Sequence, residues 1–298
     1  MQAKSKLYGR RIRGDIGPIG LDPRTRLPGA ILAPAVSLTG ADQYYTEESD
    51  VKNFDLGSRM VVDQRAFHYA KAGHAIADPA GTVYLAVMTE PLSDLWLLIA
   101  APAKVIGDTT LAITIGGFQN NVLVADELVD GFIEIWPNAP AGSFMWRRII
   151  ANTAPDAPGA GGVFTVTVDR PFNHDVALGG PGGCIIHPNI YRETMSAVDA
   201  LAEGCIGGCT VAVGLPPIPV PLDHYYWLQT YGPCCIGPTT DKPLEIPYFV
   251  DVYFYENGSV ASLHYFLTTL GHIGPQRVGY ALGAENIRNM QVMLQLAP

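Results

Sequence analysis

The chain has 298 residues, 48% of them apolar and only 16% charged, with 32 Gly and 24 Pro. That apolar content excludes global disorder. Gly and Pro well above their usual ~12% exclude a helical bundle or coiled coil, where each interior Gly costs ~1 kcal/mol and each Pro ~3. The net charge of −9 opposes long-range attraction to nucleic acid or to an anionic membrane, so neither is expected as a partner.

Charge is uneven along the chain. Residues 1–26 carry Lys4, Lys6, Arg10, Arg11, Arg13, Arg24 and Arg26 against Asp15 and Asp22, a net +5 that leaves −14 for the remainder. Gly9, Gly14, Gly17, Pro18, Gly20, Pro23, Pro28 and Gly29 punctuate the same stretch, and no regular element fits. The reading is an extended arm and linker over residues 1–55 that lies on a neighbouring subunit. A solvated tail and a direct nucleic-acid contact are the alternatives. At ~3.3 Å per residue, an arm of about 40 residues reaches roughly 130 Å. No apolar run backs the basic residues as a secretory signal requires, and a soluble protein made in the cytosol is expected. The longest apolar stretch, Leu95–Ala103, contains a Pro and is far short of the ~20 residues that span a bilayer.

Further along, apolar and polar residues alternate with period two in Leu111–Ile115, Phe132–Trp136 and Phe164–Val168. Each run is bounded by Gly, Pro, Asn or Asp, as half-buried strands are. Gly179–Gly183 is glycine-rich, but no Lys-Ser/Thr pair or helical pattern follows, which speaks against a phosphate loop. Glu193–Glu203, ending at Gly204, is the only plausible helix, with Met195, Val198 and Ala202 at helical spacing, though it is short and its Gly-rich exit suits a loop equally well. Leu215–Pro221 carries Pro216, Pro217, Pro219 and Pro221 and is extended without being a central strand. Tyr225–Pro233 predicts a buried strand and its exit turn, with Trp227 in the core or in a subunit seam. Tyr248–Tyr255 and Val260–Leu267 flank Asn257-Gly258, the pattern of a type I′ hairpin, and their aromatic and β-branched content predicts a ribbon buried on both faces.

Candidate chemistry is sparse. Five cysteines (Cys184, Cys205, Cys209, Cys234 and Cys235) are an odd number in a long chain, which excludes a disulfide scaffold. The vicinal pair Cys234-Cys235 cannot easily place two thiolates on one tetrahedral zinc, so the cysteines are expected to be reduced, buried and metal-free. The histidines (His68, His74, His174, His187, His224, His264 and His272) form no metal-ligand grouping, and His68, His74 and Asp63 could meet only through a tight hairpin. Asp223-His224 would point to opposite faces of a strand. No Gly-x-Ser-x-Gly elbow is present, and nothing nominates a pair of catalytic carboxylates. No catalytic residue, cofactor or metal is assigned, and the protein is not expected to be an enzyme.

Several segments, taken in order, resemble one family of tailed-phage virion proteins, the structural or head-decoration proteins encoded beside the major capsid protein. They are Leu56–Arg59 leading into Arg65–Gly73, then Gly131–Ile135, Trp146–Asn152 and Phe164–Arg170. Pro188–Tyr191 follows, then Tyr225–Pro233, the most specific piece, and finally Val278–Ala281 with Val292–Leu296. The resemblance covers residues 56–298, leaves the basic leader outside, and brings no catalytic residues. It implies a head-decoration or cement protein on the outside of a capsid, with the major capsid protein and copies of itself, as a homotrimer, for partners. A spike, fibre or tail-associated component and a carbohydrate-binding β module are the alternatives. Few charges and many Tyr, Trp and Pro suit such an interface role. The expected fold is all-β, a sandwich or barrel-like body over 56–298 with an extended arm and very little helix. The body has room for two lobes, 56–92 with 185–298 and an inserted 93–184. The expected interface residues are the seven leader cations together with Tyr225, Tyr226 and Trp227.

Overall fold

The computed structural model describes residues 44–77, 87–89, 99–100, 107–114, 123–136, 145–157, 162–173, 183–196, 211–237, 251–254, 258–262, 276–286 and 289–296. The basic leader therefore lies outside the described residues. Among those that are described, the regular elements are all strands, and the fold is all-β.

The chain begins with β1 (Arg59–Val62), β2 (Arg65–Lys71) and β3 (Val87–Thr89). A middle group follows with β4 (Ile99–Ala100), β5 (Thr110–Thr114), β6 (Phe132–Trp136), β7 (Met145–Asn152), β8 (Val163–Val168) and β9 (Gly183–His187). The rest supplies β10 (Thr194–Ser196), β11 (Ala212–Gly214), β12 (Tyr225–Ile236), β13 (Asp251–Phe254), β14 (Val260–Ser262), β15 (Arg277–Asn286) and β16 (Asn289–Gln295). The chain divides into two compact units, with Pro91–Arg192 forming the second and the segments on either side of it forming the first.

Unit 1 holds a seven-stranded sheet in the order β1-β2-β12-β16-β15-β13-β14 and a three-stranded sheet in the order β10-β3-β11. Its organising element is the twelve-residue β12. The first half of β12 pairs with β2, from Tyr225↔Lys71 to Tyr231↔Ala66. The second half pairs on its other side with β16, from Tyr231↔Gln295 to Ile236↔Met290. The change of partner is made at a bulge between Gln229 and Tyr231 and at Gly232, whose φ of 98° favours glycine. A side chain there would also run into the Gln64 carbonyl oxygen and the Arg65 backbone. Pro233 falls just past the end of β2, where a missing N–H costs no ladder bond to that strand.

Tyr226, Trp227, Leu228, Gln229 and Thr230 are all buried, and so are Ala66 through Ala70 on β2. This strand pair is buried on both faces. On one face Trp227 and Tyr69 lie in register and meet edge-on at 5.0 Å, and Phe54 packs against both at 5.2 Å. Met60, Val62 and Phe67 complete that cluster. On the other face the Tyr226 hydroxyl lies 2.8 Å from Thr194 Oγ1, which in turn donates to the Lys71 carbonyl. A two-residue turn, Asp63-Gln64, joins β1 to β2, with Asp63 at φ 55° as primed hairpin turns require.

Three expectations are corrected in unit 1. The predicted helix begins as a strand, β10, which follows Glu193 at φ 52°, while 197–210 lie outside the described residues. Helical spacing of three apolar residues did not outweigh pairing of Thr194–Ser196 with β3. The Asn257-Gly258 hairpin is out of register with a two-residue turn, because Phe254 pairs with Val260 and leaves residues 255–259 between them. Gly258 sits at φ 80°, in the left-handed region that favours glycine. Of that ribbon's described residues, Val260–Ser262 are buried on both faces. In β13, by contrast, Asp251 is exposed and Tyr253 half-buried, so the first strand is covered on one face only.

Unit 2 is one antiparallel six-stranded sheet in the order β4-β5-β8-β7-β6-β9. Alternation sorts its side chains: Leu111, Ile113, Phe164, Val166, Val168, Ile133, Ile135, Met145, Ile149, Cys184 and Ile186 share one buried cluster with Leu123, Leu128 and Phe172. Buried Asn152 ties the 124–130 turn to β7 by accepting from the Leu128 N–H at 2.8 Å and donating to the Val124 carbonyl at 2.9 Å.

Trp227→Ala is expected to destabilise the chain by ~3–5 kcal/mol, the cost of a cavity left by a fully buried aromatic ring. A denaturant melt that gives less than ~1 kcal/mol would remove Trp227 from the structural role assigned to it here.

Candidate functional site

The expected interface residues separate into three groups. Lys4, Lys6, Arg10, Arg11, Arg13, Arg24 and Arg26 lie outside the described residues. Tyr226 and Trp227 are 0% exposed, so neither side chain is a contact surface of this chain; both hold β12 in place. Tyr225 is half-buried and stacks on Tyr69 at 5.9 Å and 9°.

The apolar and aromatic residues beside β12 shape a groove of about 290 Å³ lined by Tyr45, Thr46, Arg65, Leu215, Pro216, Pro217, Gln229, Pro233, Cys234 and Cys235. Its one cation is held in place. The Arg65 guanidinium lies 4.9 Å from the Tyr45 ring centre and 5.6 Å from that of Phe67, and it donates to the Tyr45 hydroxyl at 3.3 Å. No carboxylate or imidazole lines the groove. The exposed Cys235 thiol therefore has no carboxylate or imidazole beside it in that lining.

Several titratable groups among the described residues have structural partners. His68 is buried in β2 with Nδ1 2.9 Å from Thr230 Oγ1. Burial, and secondarily the Arg59 charge, push its pKa down to about 4. Asp223 and His224 occupy a turn ahead of β12, not a strand, and they diverge: Asp223 pairs with Lys71 at 2.7 Å and His224 Nδ1 with Glu48 at 2.6 Å. Burial raises the thiols of Cys184 and Cys234 to about 12, and Cys234 Sγ lies 3.5 Å from the Val292 carbonyl. Cys184, Cys234 and Cys235 are free thiols; Cys205 and Cys209 lie outside the described residues, as does Gly179–Gly182. Among the described residues no group of three or more His, Cys, Asp or Glu is placed to hold a metal, His68, His74 and Asp63 included.

The surface that composition and spacing did not single out is the outer face of the unit 2 sheet. Phe132, Trp146 and Ile150 are each about half exposed there. The ladder places Trp146 opposite Glu134 and Arg148 opposite Phe132, and Glu134 opposite Ile185 and Phe132 opposite His187. Trp146 stacks on His187 at 5.1 Å and 24°, and His187 Nε2 lies 3.3 Å from Glu134 Oε2. Arg148 reaches the carboxylate of buried Asp130. One signal was legible: in Phe132-Ile133-Glu134-Ile135 the two isoleucines fix the inward phase, so Phe132 must point outward with Glu134.

The His68 shift has a measurable consequence. Its folded pKa lies below the unfolded value of ~6.5, so between those values the unfolded chain binds the extra proton and stability falls as pH falls. Stability is expected to drop by about 2 kcal/mol between pH 7 and pH 5 from this group alone, at ~1.4 kcal/mol per pH unit. The part of the slope that disappears in His68→Gln measures it, using denaturant melts at the two pH values; an unchanged slope would show that His68 titrates normally.

Comparison with known proteins finds no matching family model, no matching curated protein and no matching solved structure.

Proposed function

We propose that the chain is a non-enzymatic virion structural protein of the head-decoration or cement type. It binds the outer surface of an assembled capsid through the major capsid protein and through copies of itself. The observation that carries this reading is where the resembling segments fall. Arg65–Gly73 contains β2, Tyr225–Pro233 is most of β12, Val292–Leu296 takes in much of β16 and Val278–Ala281 begins β15. These four strands, drawn from distant parts of the chain, are consecutive neighbours in one sheet. Their adjacency supports treating the segments as one structural unit rather than as separate short matches.

The chemistry of the described surfaces is compatible with that role. A protein that clamps a lattice needs rigid β-structure and exposed aromatic or aliphatic contacts, not a base poised beside a nucleophile. Closed symmetry on a capsid favours a trimer placed on a three-fold or local three-fold axis. The basic leader, set against an acidic remainder, gives a second means of attachment to an acidic surface.

Copy number per particle tests the proposal. In purified virions the chain is expected in fixed stoichiometry with the major capsid protein, measured by quantitative gel or by cryo-EM occupancy. A few dozen copies or fewer would overturn the decoration role and favour a spike or tail component.

A further inference from the structure

Trp146 and Phe132 stand out on the unit 2 sheet because 50% and 47% of their surface is exposed on a face whose partner side is already filled by Ile133, Ile135, Met145 and Ile149. The register sets them in two rows across β9, β6 and β7. Ile185, Glu134 and Trp146 form one row, and His187, Phe132 and Arg148 form the next. The polar members are fixed before any ligand arrives. Stacking on His187 orients the indole, His187 is engaged by Glu134, and Arg148 is anchored by Asp130. Prior immobilisation lowers the ordering cost of binding.

We propose that this block is a binding platform for a neutral glycan chain. The C–H faces of a pyranose ring are apolar and match an exposed aromatic ring, while its hydroxyls need acceptors and donors at the rim. Trp146 and Phe132 supply the first, and the Glu134 carboxylate, the His187 imidazole and the Arg148 guanidinium supply the second. Charge disfavours a polyanion: Arg148 is offset by Asp130, Glu134 lies beside His187, and residues 27–298 carry −14. The exposed aromatic surface is compact: half-exposed Trp146 and Phe132 present roughly 200 Å² between them, taking 150–250 Å² for a whole aromatic side chain. The inference does not depend on the virion role, since the platform is complete within unit 2.

The test uses the full chain and a panel of soluble neutral oligosaccharides (short glucans, galactans and mannans), with binding read by isothermal titration and by tryptophan fluorescence. At least one of them is expected to bind, with Trp146→Ala weakening it by about tenfold or more, Glu134→Gln by several-fold and Trp146→Phe by less than Trp146→Ala. Tyr225→Phe, in unit 1, is expected to leave binding unchanged. Thermal melts confirm that each variant is folded, as expected for a half-exposed position. Failure of every oligosaccharide to bind at millimolar concentration would overturn the proposal, and so would binding that Trp146→Ala leaves intact. Loss of self-association or of capsid binding in Trp146→Ala, without any glycan affinity in the parent, would also overturn it and make the face a protein interface.

Discussion

The pairing of β2 with β12 is the constraint on which the rest of unit 1 depends. Both strands are buried on both faces over their shared length. One face needs the aromatic cluster of Phe54, Tyr69 and Trp227, and the other needs the hydroxyl chain from Tyr226 through Thr194 to the Lys71 carbonyl. A register slip of one residue would exchange the two faces, putting Trp227 where Tyr226 meets Thr194. The slip is blocked at both ends: Ser49 pairs its backbone with Tyr225 at one, and Gly232 lies against Gln64 and Arg65 at the other. With β12 fixed, its second half templates β16, and β15 and β13 follow in order.

Half-buried strands were the legible part of the fold. Leu111–Ile115, Phe132–Trp136 and Phe164–Val168 coincide within a residue with β5, β6 and β8, because one face meets a core and the other meets water, and alternation records that difference directly. The buried strand at Tyr225–Pro233 was legible for another reason, since a run of large apolar residues leaves little besides a buried strand. The exit turn expected at its end is absent: Gly232-Pro233 lie inside β12, which continues to Ile236 by pairing with β16. The rest was set by partners that no local pattern names. Thr194–Ser196 is a strand because β3 is beside it. The β1–β2 turn was silent because Asp63 adopts a positive φ without an accompanying Gly. The Asn257-Gly258 signal located the turn and misread its length, since loop length is fixed by the register of the flanking strands, Phe254 against Val260.

The candidate sites were less legible than the fold. Aromatic residues were expected to mark the interface, yet Tyr226 and Trp227 proved to be the interior, while Trp146 and Phe132 carry the exposed aromatic surface. Composition cannot separate these cases, because a buried ring and a contact ring use the same residue types. What separates them is phase: Trp146 lies on the opposite side of β7 from the buried Met145 and Ile149. The groove beside Arg65 and Tyr45 was invisible in the sequence, since its walls come from separate places in the chain: Tyr45 and Thr46, Arg65, residues 215–217, Gln229 and residues 233–235.

The central functional claim is attachment to a capsid surface, supported by adhesive β-structure in the body and by the opposite charge of the leader. Co-sedimentation of the purified full chain with capsid shells that lack it tests this most directly. Binding is expected to saturate at a fixed ratio to the major capsid protein. It should weaken as salt contracts the Debye length from ~30 Å at 0.01 M to ~3 Å at 1 M, and lose that salt sensitivity when residues 1–26 are deleted. A chain that stays in the supernatant at every ratio and at low salt would contradict the account.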